Sequence, residues 1–175
     1  MPAVIAILGV LAAAAFWILR ARNVAHAATE LADVANDVRL AARRFGFRRR
    51  SGQHPVEGID DEKVAIATLG IAFLELDHLP AREQQIALGR GLQRELGVNL
   101  DGAEELMVLG RWLMNECGGA EPAVARVARR LYKIGGGAAF APLMGVVKDI
   151  ASAGDGISDR QKQALDALKR AFRIS

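Results

Sequence analysis

Side chains able to do acid–base or nucleophilic chemistry are few in this sequence and are scattered along it. His78 follows Asp77, and such a pair is able to exchange a proton. Cys117 falls on the apolar face of a helical pattern, where a thiol is usually a small core residue, and no serine has a recognisable partner base. The glycine run 135–137 lacks the Lys-Ser/Thr pair of a phosphate-binding loop. We therefore expect neither an enzyme nor a bound organic cofactor.

The composition is that of a folded chain. The 175 residues are 51% hydrophobic and 25% charged, which excludes a disordered or collagen-like protein. A single cysteine cannot form an internal disulfide, and the sequence has no Cys/His cluster, so a disulfide scaffold and a structural zinc domain are also excluded. We expect the water-soluble part to lie in a reducing compartment.

Residues 2–19 (PAVIAILGVLAAAAFWIL) contain no charge. As a helix they are about 27 Å long, just enough to span a bilayer. A cleaved signal peptide would begin with a positive charge, and its small-residue cleavage site would come before Arg20 and Arg22. A buried helix of a soluble core would normally carry a polar face. The sequence therefore predicts an uncleaved, single-pass transmembrane anchor.

Basic residues follow this stretch at once. Residues 20–50 hold eight arginines and three acidic residues, a net +5, whereas residues 51–175 carry a net −2. The positive-inside rule then places the N-terminus outside and the rest in the cytoplasm, at the inner membrane. We favour anionic lipid head groups over nucleic acid as the partner of these arginines. The predicted membrane-surface residues are Arg20, Arg22, Arg43, Arg44, Arg48, Arg49 and Arg50.

Residues 20–45 are expected to form a juxtamembrane helix with an apolar seam. Apolar residues recur there at alternating spacings of three and four, the a/d pattern of a short coiled coil. The larger seam residues are Val24, Leu31, Val34, Val38 and Phe45. The seam is consistent with a weak homodimer, with packing along the chain's own domain or the membrane surface, or with an unidentified protein partner such as an integral membrane complex. Residues 46–58 indicate a basic linker.

Residues 59–175 are predicted to be all-α. No stretch alternates apolar and polar residues, whereas helical spacing recurs six times. The helix from Glu62 to Leu76 is apolar almost all round and should run through the centre of a bundle. The other five helices are expected to start near Pro80, Asp101, Pro122, Phe140 and Ser158.

Local signals predict further details of these helices. Asp101 with Glu104 and Ser158 with Gln161 have the spacing of capping boxes, and Gly97 is expected to end the helix that starts near Pro80. The inner apolar stripe of that helix is formed by Leu88, Leu92 and Leu96. The outer face of the helix that starts near Pro122 is expected to carry Arg126, Arg129, Arg130 and Lys133.

Two segments of this domain share one pattern. Residues 77–83 (DHLPARE) and 155–161 (DGISDRQ) both run Asp, one residue, an aliphatic, a helix-starting residue and a polar turn with Arg before Glu or Gln. Each segment joins two predicted helices. A duplicated helical hairpin is the economical explanation.

The run at 149–161 (DIASAGDGISDRQ), closing on residues 172–175 (FRIS), resembles the pattern IA-x-ADG-x-IS-x-x-E … LGIS of TerB-like domains. These are the tellurite-resistance TerB proteins and the N-terminal domains of membrane-anchored DnaJ-like co-chaperones, which also begin with a single membrane span. The resemblance covers residues 59–175 and implies a compact helical bundle with an internal repeat, linked to membrane stress responses. The His-Pro-Asp motif of a J domain does not occur in this sequence.

The same resemblance implies a divalent-metal site, because acidic residues on the two turns are associated with metal binding in this family. The candidates here are Glu75, Asp77, Glu83, Asp155 and Asp159, which would hold Ca²⁺ or Mg²⁺ through carboxylate oxygens. The alternative is that these acids cap helix N-termini and face solvent.

Three functions follow from this organisation. The first is a non-catalytic interaction or adaptor module of TerB type, tethered to the inner face of a membrane and linked to membrane stress or to the scaffolding of a complex. The second is an accessory or assembly subunit of a larger integral membrane complex. The third is a divalent-metal-binding stress sensor of the tellurite type.

Overall fold

The computed structural model describes residues 35–47, 52–77, 80–154 and 156–174. Within these ranges every regular element is a helix and no strand occurs, which confirms the all-α prediction. The chain divides after Asp37 into two units. The first unit is described only over residues 35–37, which are helical, and residues 38–175 form the second. The predicted transmembrane anchor and the seam residues Val24, Leu31 and Val34 lie outside the described residues.

Seven helices are described. The first, α1, is helical over residues 35–44. The others are α2 (Glu62–Leu74), α3 (Arg82–Leu96), α4 (Leu100–Glu116), α5 (Ala120–Gly135), α6 (Phe140–Ser152) and α7 (Asp159–Ala171). Short 3-10 helices occupy Pro55–Gly58 and Gly136–Ala139.

Capping residues set the start of three of these helices and the end of a fourth. Asp61 accepts a hydrogen bond from the Lys63 backbone at 2.8 Å and starts α2, and Ser158 and Gln161 form the predicted capping box of α7. Gly97 ends α3 in the left-handed conformation, with φ 61°. The predicted box at Asp101 is wrong, because Asn99 caps α4 instead, accepting from the Gly102 backbone at 3.0 Å.

Helix α2 is the centre of the bundle, as its sequence predicts. All residues from Val64 to Leu74 are buried, with α3, α4, α5 and α6 packed around them. The α4 backbone comes closest at Gly110, where an added Cβ would lie 2.8 Å from Ile71 Cδ1 and 3.1 Å from the Thr68 backbone nitrogen. A glycine is therefore required at this crossing.

The end of α1 packs on the bundle, and two of the predicted seam residues lie there. Ala41 is fully buried, and Val38 and Phe45 pack beside it against the core. Arg44, predicted to face lipid, donates to Glu105 at 3.1 Å. Val38 and Phe45 thus pack in part against the chain's own domain, one of the alternatives that the seam left open, because apolar side chains next to a core are more stable buried there.

The predicted linker 46–58 is also shorter than expected. The Phe47 ring meets the Trp112 ring edge to face, with centroids 5.6 Å apart. His54 Nδ1 accepts from the Val56 backbone, so its Nε2 carries the proton and donates to the Glu116 carbonyl at 3.1 Å. Pro55 and Val56 are then buried. Both ends of this segment therefore belong to the folded domain, and Arg48, Arg49 and Arg50 lie between them outside the described residues.

Among the described residues one helical stretch, Ala120–Ser152, is long and apolar enough to cross a membrane by length and composition. Core helices of soluble proteins pass the same test. Here Leu131, Leu143 and Ile150 are buried in the bundle. The stretch is also interrupted at Gly136, where φ is 58° and ψ is −154°. The stretch therefore consists of two helices, α5 and α6, that each contribute buried residues to the bundle.

Candidate functional site

The structure brings the two pattern-sharing turns together. Arg160 Nη1 donates to the Leu76 carbonyl at 3.1 Å, so the start of α7 is bonded to the end of α2. A Cβ added to Gly154 would collide with Gln84 Nε2, which places the residue before the second segment against the start of α3. Residues beside the two pattern-sharing segments are therefore in contact.

The acidic candidates for a metal site are partly engaged by cations. Arg111 binds the Glu75 carboxylate through both Nε and Nη2, each at 2.9 Å. Lys162 donates to Asp159 at 2.9 Å, and this hydrogen bond lowers the pKa of the Asp159 carboxyl. Glu83 is exposed and Asp77 half-buried, while Asp155 lies outside the described residues. The described residues contain no group of three or more His, Cys, Asp or Glu side chains placed to hold a metal ion.

Cys117, the one cysteine, and Tyr132 have packing roles in the bundle. Cys117 is half-buried at the end of α4, and burial raises the pKa of its thiol, so the unreactive protonated form is favoured. Tyr132 packs against Phe172, with ring centroids 5.6 Å apart, and the Arg173 guanidinium lies over the Tyr132 ring. His78, the predicted proton-exchange partner of Asp77, lies outside the described residues.

Two open grooves flank the outer face of α3. One, of about 490 Å³, runs between α3 and α6, and the other, of about 380 Å³, runs between α3 and α4. Ile86 and Arg90 line both grooves. Ile86 is 44% exposed, and Leu100 at the far wall of the α3–α4 groove is 58% exposed. The outer face of α3 thus leaves large aliphatic side chains in contact with water.

The arginines that line the two grooves differ in whether they form ion pairs. In the α3–α6 groove Arg94 pairs with Glu95 at 2.8 Å and with Asp149 at 2.7 Å. Arg82, which lines the α3–α4 groove, and Arg90, which lines both grooves, are exposed and form no ion pair with any residue that the structure describes. The α3–α4 groove therefore offers unneutralised positive charge beside exposed aliphatic surface.

Sequence reasoning did not identify this surface. The predicted inner stripe of α3 consists of Leu88, Leu92 and Leu96, of which Leu88 and Leu92 are fully buried. Ile86 lies off that stripe, and Leu100 precedes the expected start of α4. Large aliphatic residues off the buried face of two consecutive helices were the available signal.

Comparison of the chain with protein-family models, with curated proteins and with solved structures finds no match.

Proposed function

We propose that the chain is a non-catalytic interaction or adaptor module of TerB type, tethered to the inner face of the cytoplasmic membrane by residues 2–19. The uncharged length of those residues and the arginines that follow support the tether and its orientation. The pattern at 149–161 and the two turns packed together support the TerB relationship and its link to membrane stress.

The observation that carries the adaptor role is the outer face of α3. Ile86 and Leu100 are two of the five large aliphatic residues that the described structure leaves exposed, and both line one groove beside Arg82 and Arg90, which form no ion pair with any described residue. An exposed aliphatic surface of this kind is typical of a binding site for another molecule.

The tether is tested by fractionation of cells that express the intact chain. We expect the protein to remain in the membrane pellet after alkaline carbonate extraction, and a variant lacking residues 2–19 to be soluble and folded. Protease added to inverted vesicles should digest the helical domain, since it faces the cytoplasm. Release of the intact chain by carbonate would exclude the membrane anchor.

The adaptor role is tested by purification of the intact chain in mild detergent, followed by native mass determination. An adaptor is expected to bind its partner reversibly, so that dilution releases it. A partner that stays in fixed stoichiometry through a density gradient would favour the accessory-subunit function. Recovery of the chain alone under every condition would contradict both.

A further inference from the structure

The floor of the α3–α4 groove is open because position 89 is a glycine. Gly89 lies inside α3, where glycine is less favourable than alanine by about 1 kcal/mol in an ordinary helix. A Cβ added there would meet only Met107 Sδ, at 3.8 Å, which is an ordinary contact. Packing within the bundle therefore does not require this glycine.

Gly91, two residues beyond, differs from Gly89 in its surroundings. A Cβ at that position would lie 3.0 Å from Asp149 Oδ2 and 3.4 Å from the Val146 backbone, so the close approach of α6 accounts for it. Gly89 has no such neighbour. Its effect on the structure is to leave space in the groove between Ile86 and Met107, where an incoming side chain would fit.

The walls of the groove define the chemistry of what fills it. Ile86, Leu100 and Met107 supply apolar surface, and Arg82 and Arg90 supply positive charge with no carboxylate partner among the described residues. Glu104 is the one acidic residue in the lining. A ligand with an apolar stripe and carboxylates beside it would match both features, because desolvated aliphatic contact and charge pairing would form together.

We propose that the α3–α4 groove binds an acidic amphipathic helix of a protein partner, with aliphatic side chains against Ile86, Leu100 and Met107 and carboxylates at Arg82 and Arg90. A groove between two helices suits a third helix, whose ridge of side chains enters it. A flat lipid surface fits less well, because it has no ridge of side chains to enter a groove between two helices. The proposal deepens the adaptor function and rests on it.

The test is a selection from a displayed library of helical peptides of about 15 residues. Leucines are fixed at helical spacing, and each flanking position is free to be Glu, Gln or Lys. The bait is the full chain in neutral detergent. We expect Glu to be enriched in the flanking positions of the bound peptides. Enrichment of Lys, no preference, or no bound peptide would overturn the proposal.

Two variants locate the binding of a selected peptide. Gly89→Ala should raise the melting temperature by about 2 °C while weakening peptide binding about tenfold, because the added methyl group strengthens the helix and fills the groove floor. Arg82→Glu combined with Arg90→Glu should abolish binding of the acidic peptide. Arg129→Glu is the matched control, since Arg129 is exposed on α5 outside the groove. Equal binding by all of these variants would overturn the assignment.

The same variants separate this proposal from the adaptor function. If a native partner still binds the Arg82→Glu, Arg90→Glu chain as tightly as the wild type, the groove assignment is wrong and the adaptor function stands. If vesicles of anionic lipid, and not the acidic peptides, bind in a manner that depends on Arg82 and Arg90, the groove contacts membrane and the proposal fails.

Discussion

Gln161, at the start of α7, is hydrogen-bonded to Phe73 of α2, and both the nitrogen and the oxygen of its side-chain amide are engaged. Its Nε2 donates to the Phe73 carbonyl at 3.2 Å, and its Oε1 accepts from the Ser158 backbone at 3.1 Å. The side chain is 5% exposed. The first contact satisfies a carbonyl near the end of α2, and the second caps the start of α7. The TerB pattern has Glu at this position, and a carboxylate would keep the cap but lose the donor.

Replacement of Gln161 by Glu is therefore expected to lower the free energy of unfolding by about 1–3 kcal/mol. The carboxylate would face the Phe73 carbonyl with no proton to share at neutral pH. Chemical denaturation of the variant measures the loss. Gln163→Glu, at an exposed position of the same helix, should change stability by no more than about 0.5 kcal/mol. Equal effects of the two substitutions would show that the Phe73 contact contributes nothing.

The crossing of α2 and α4 depends on the absence of a side chain at Gly110. Gly110→Ala should destabilise the domain by about 1–3 kcal/mol, because the methyl group would push against the Thr68 backbone, which cannot move without disturbing the central helix. Thermal unfolding measures the change. Gly137→Ala is the control, since a Cβ at Gly137 meets nothing within 4 Å. A neutral Gly110→Ala would mean that the two helices separate easily.

Arg130 holds the segment before α2. Its Nε donates to the Ile59 carbonyl at 2.6 Å and its Nη2 to Asp60 at 2.7 Å, with the side chain only 10% exposed. Arg130→Met is expected to cost about 2 kcal/mol, because it leaves the Ile59 carbonyl without this donor. The neighbouring exposed Arg129, changed to Met, should cost less than about 0.5 kcal/mol. Urea unfolding of the pair measures the difference.

The packing of the segment after α1 is open to a spectroscopic test. Phe47→Ala should remove the edge-to-face contact with Trp112, shift the tryptophan emission to longer wavelength and lower stability by about 1 kcal/mol. Leu40→Ala is the matched control, because Leu40 is 50% exposed on α1. An unchanged emission spectrum in Phe47→Ala would place this segment away from the bundle in solution.

Calcium and magnesium are expected to leave the melting temperature of the intact chain unchanged at millimolar concentration. Arg111 and Lys162 already neutralise Glu75 and Asp159, and an ion would have to displace both cations before binding there. A rise in melting temperature that Asp77→Asn and Asp155→Asn abolish would instead establish the metal-binding function that the TerB resemblance implies.

Local signals in the sequence were sufficient for most of the bundle. The uniformly apolar segment of α2 predicted its central position, and the Ser158 box and Gly97 predicted helix ends that the structure confirms. Each of these depends on residues close together in the chain. The sequence predicts Arg130 on the exposed polar face of α5, but its guanidinium is turned toward the domain because it donates a hydrogen bond to the Ile59 carbonyl. No local pattern reports such a long-range contact.

The α3 surface was missed for the same reason. The open space at Gly89 becomes evident only when Met107, on the next helix, is placed beside it. Whether Arg82 and Arg90 form ion pairs depends on which acidic residues the fold brings near them. Tertiary packing likewise determines which surface the seam residues Val38 and Phe45 contact. An a/d pattern indicates that one side of a helix is buried, and it does not say against what.

The central position of α2 has a consequence for biosynthesis. The four helices packed around it, α3 to α6, all follow it in the chain, so a nascent polypeptide displays the apolar surface from Val64 to Leu74 before any of them has left the ribosome. The domain cannot close until translation has passed Ser152, the end of α6. Until then the apolar surface of α2 is exposed to solvent and prone to aggregate.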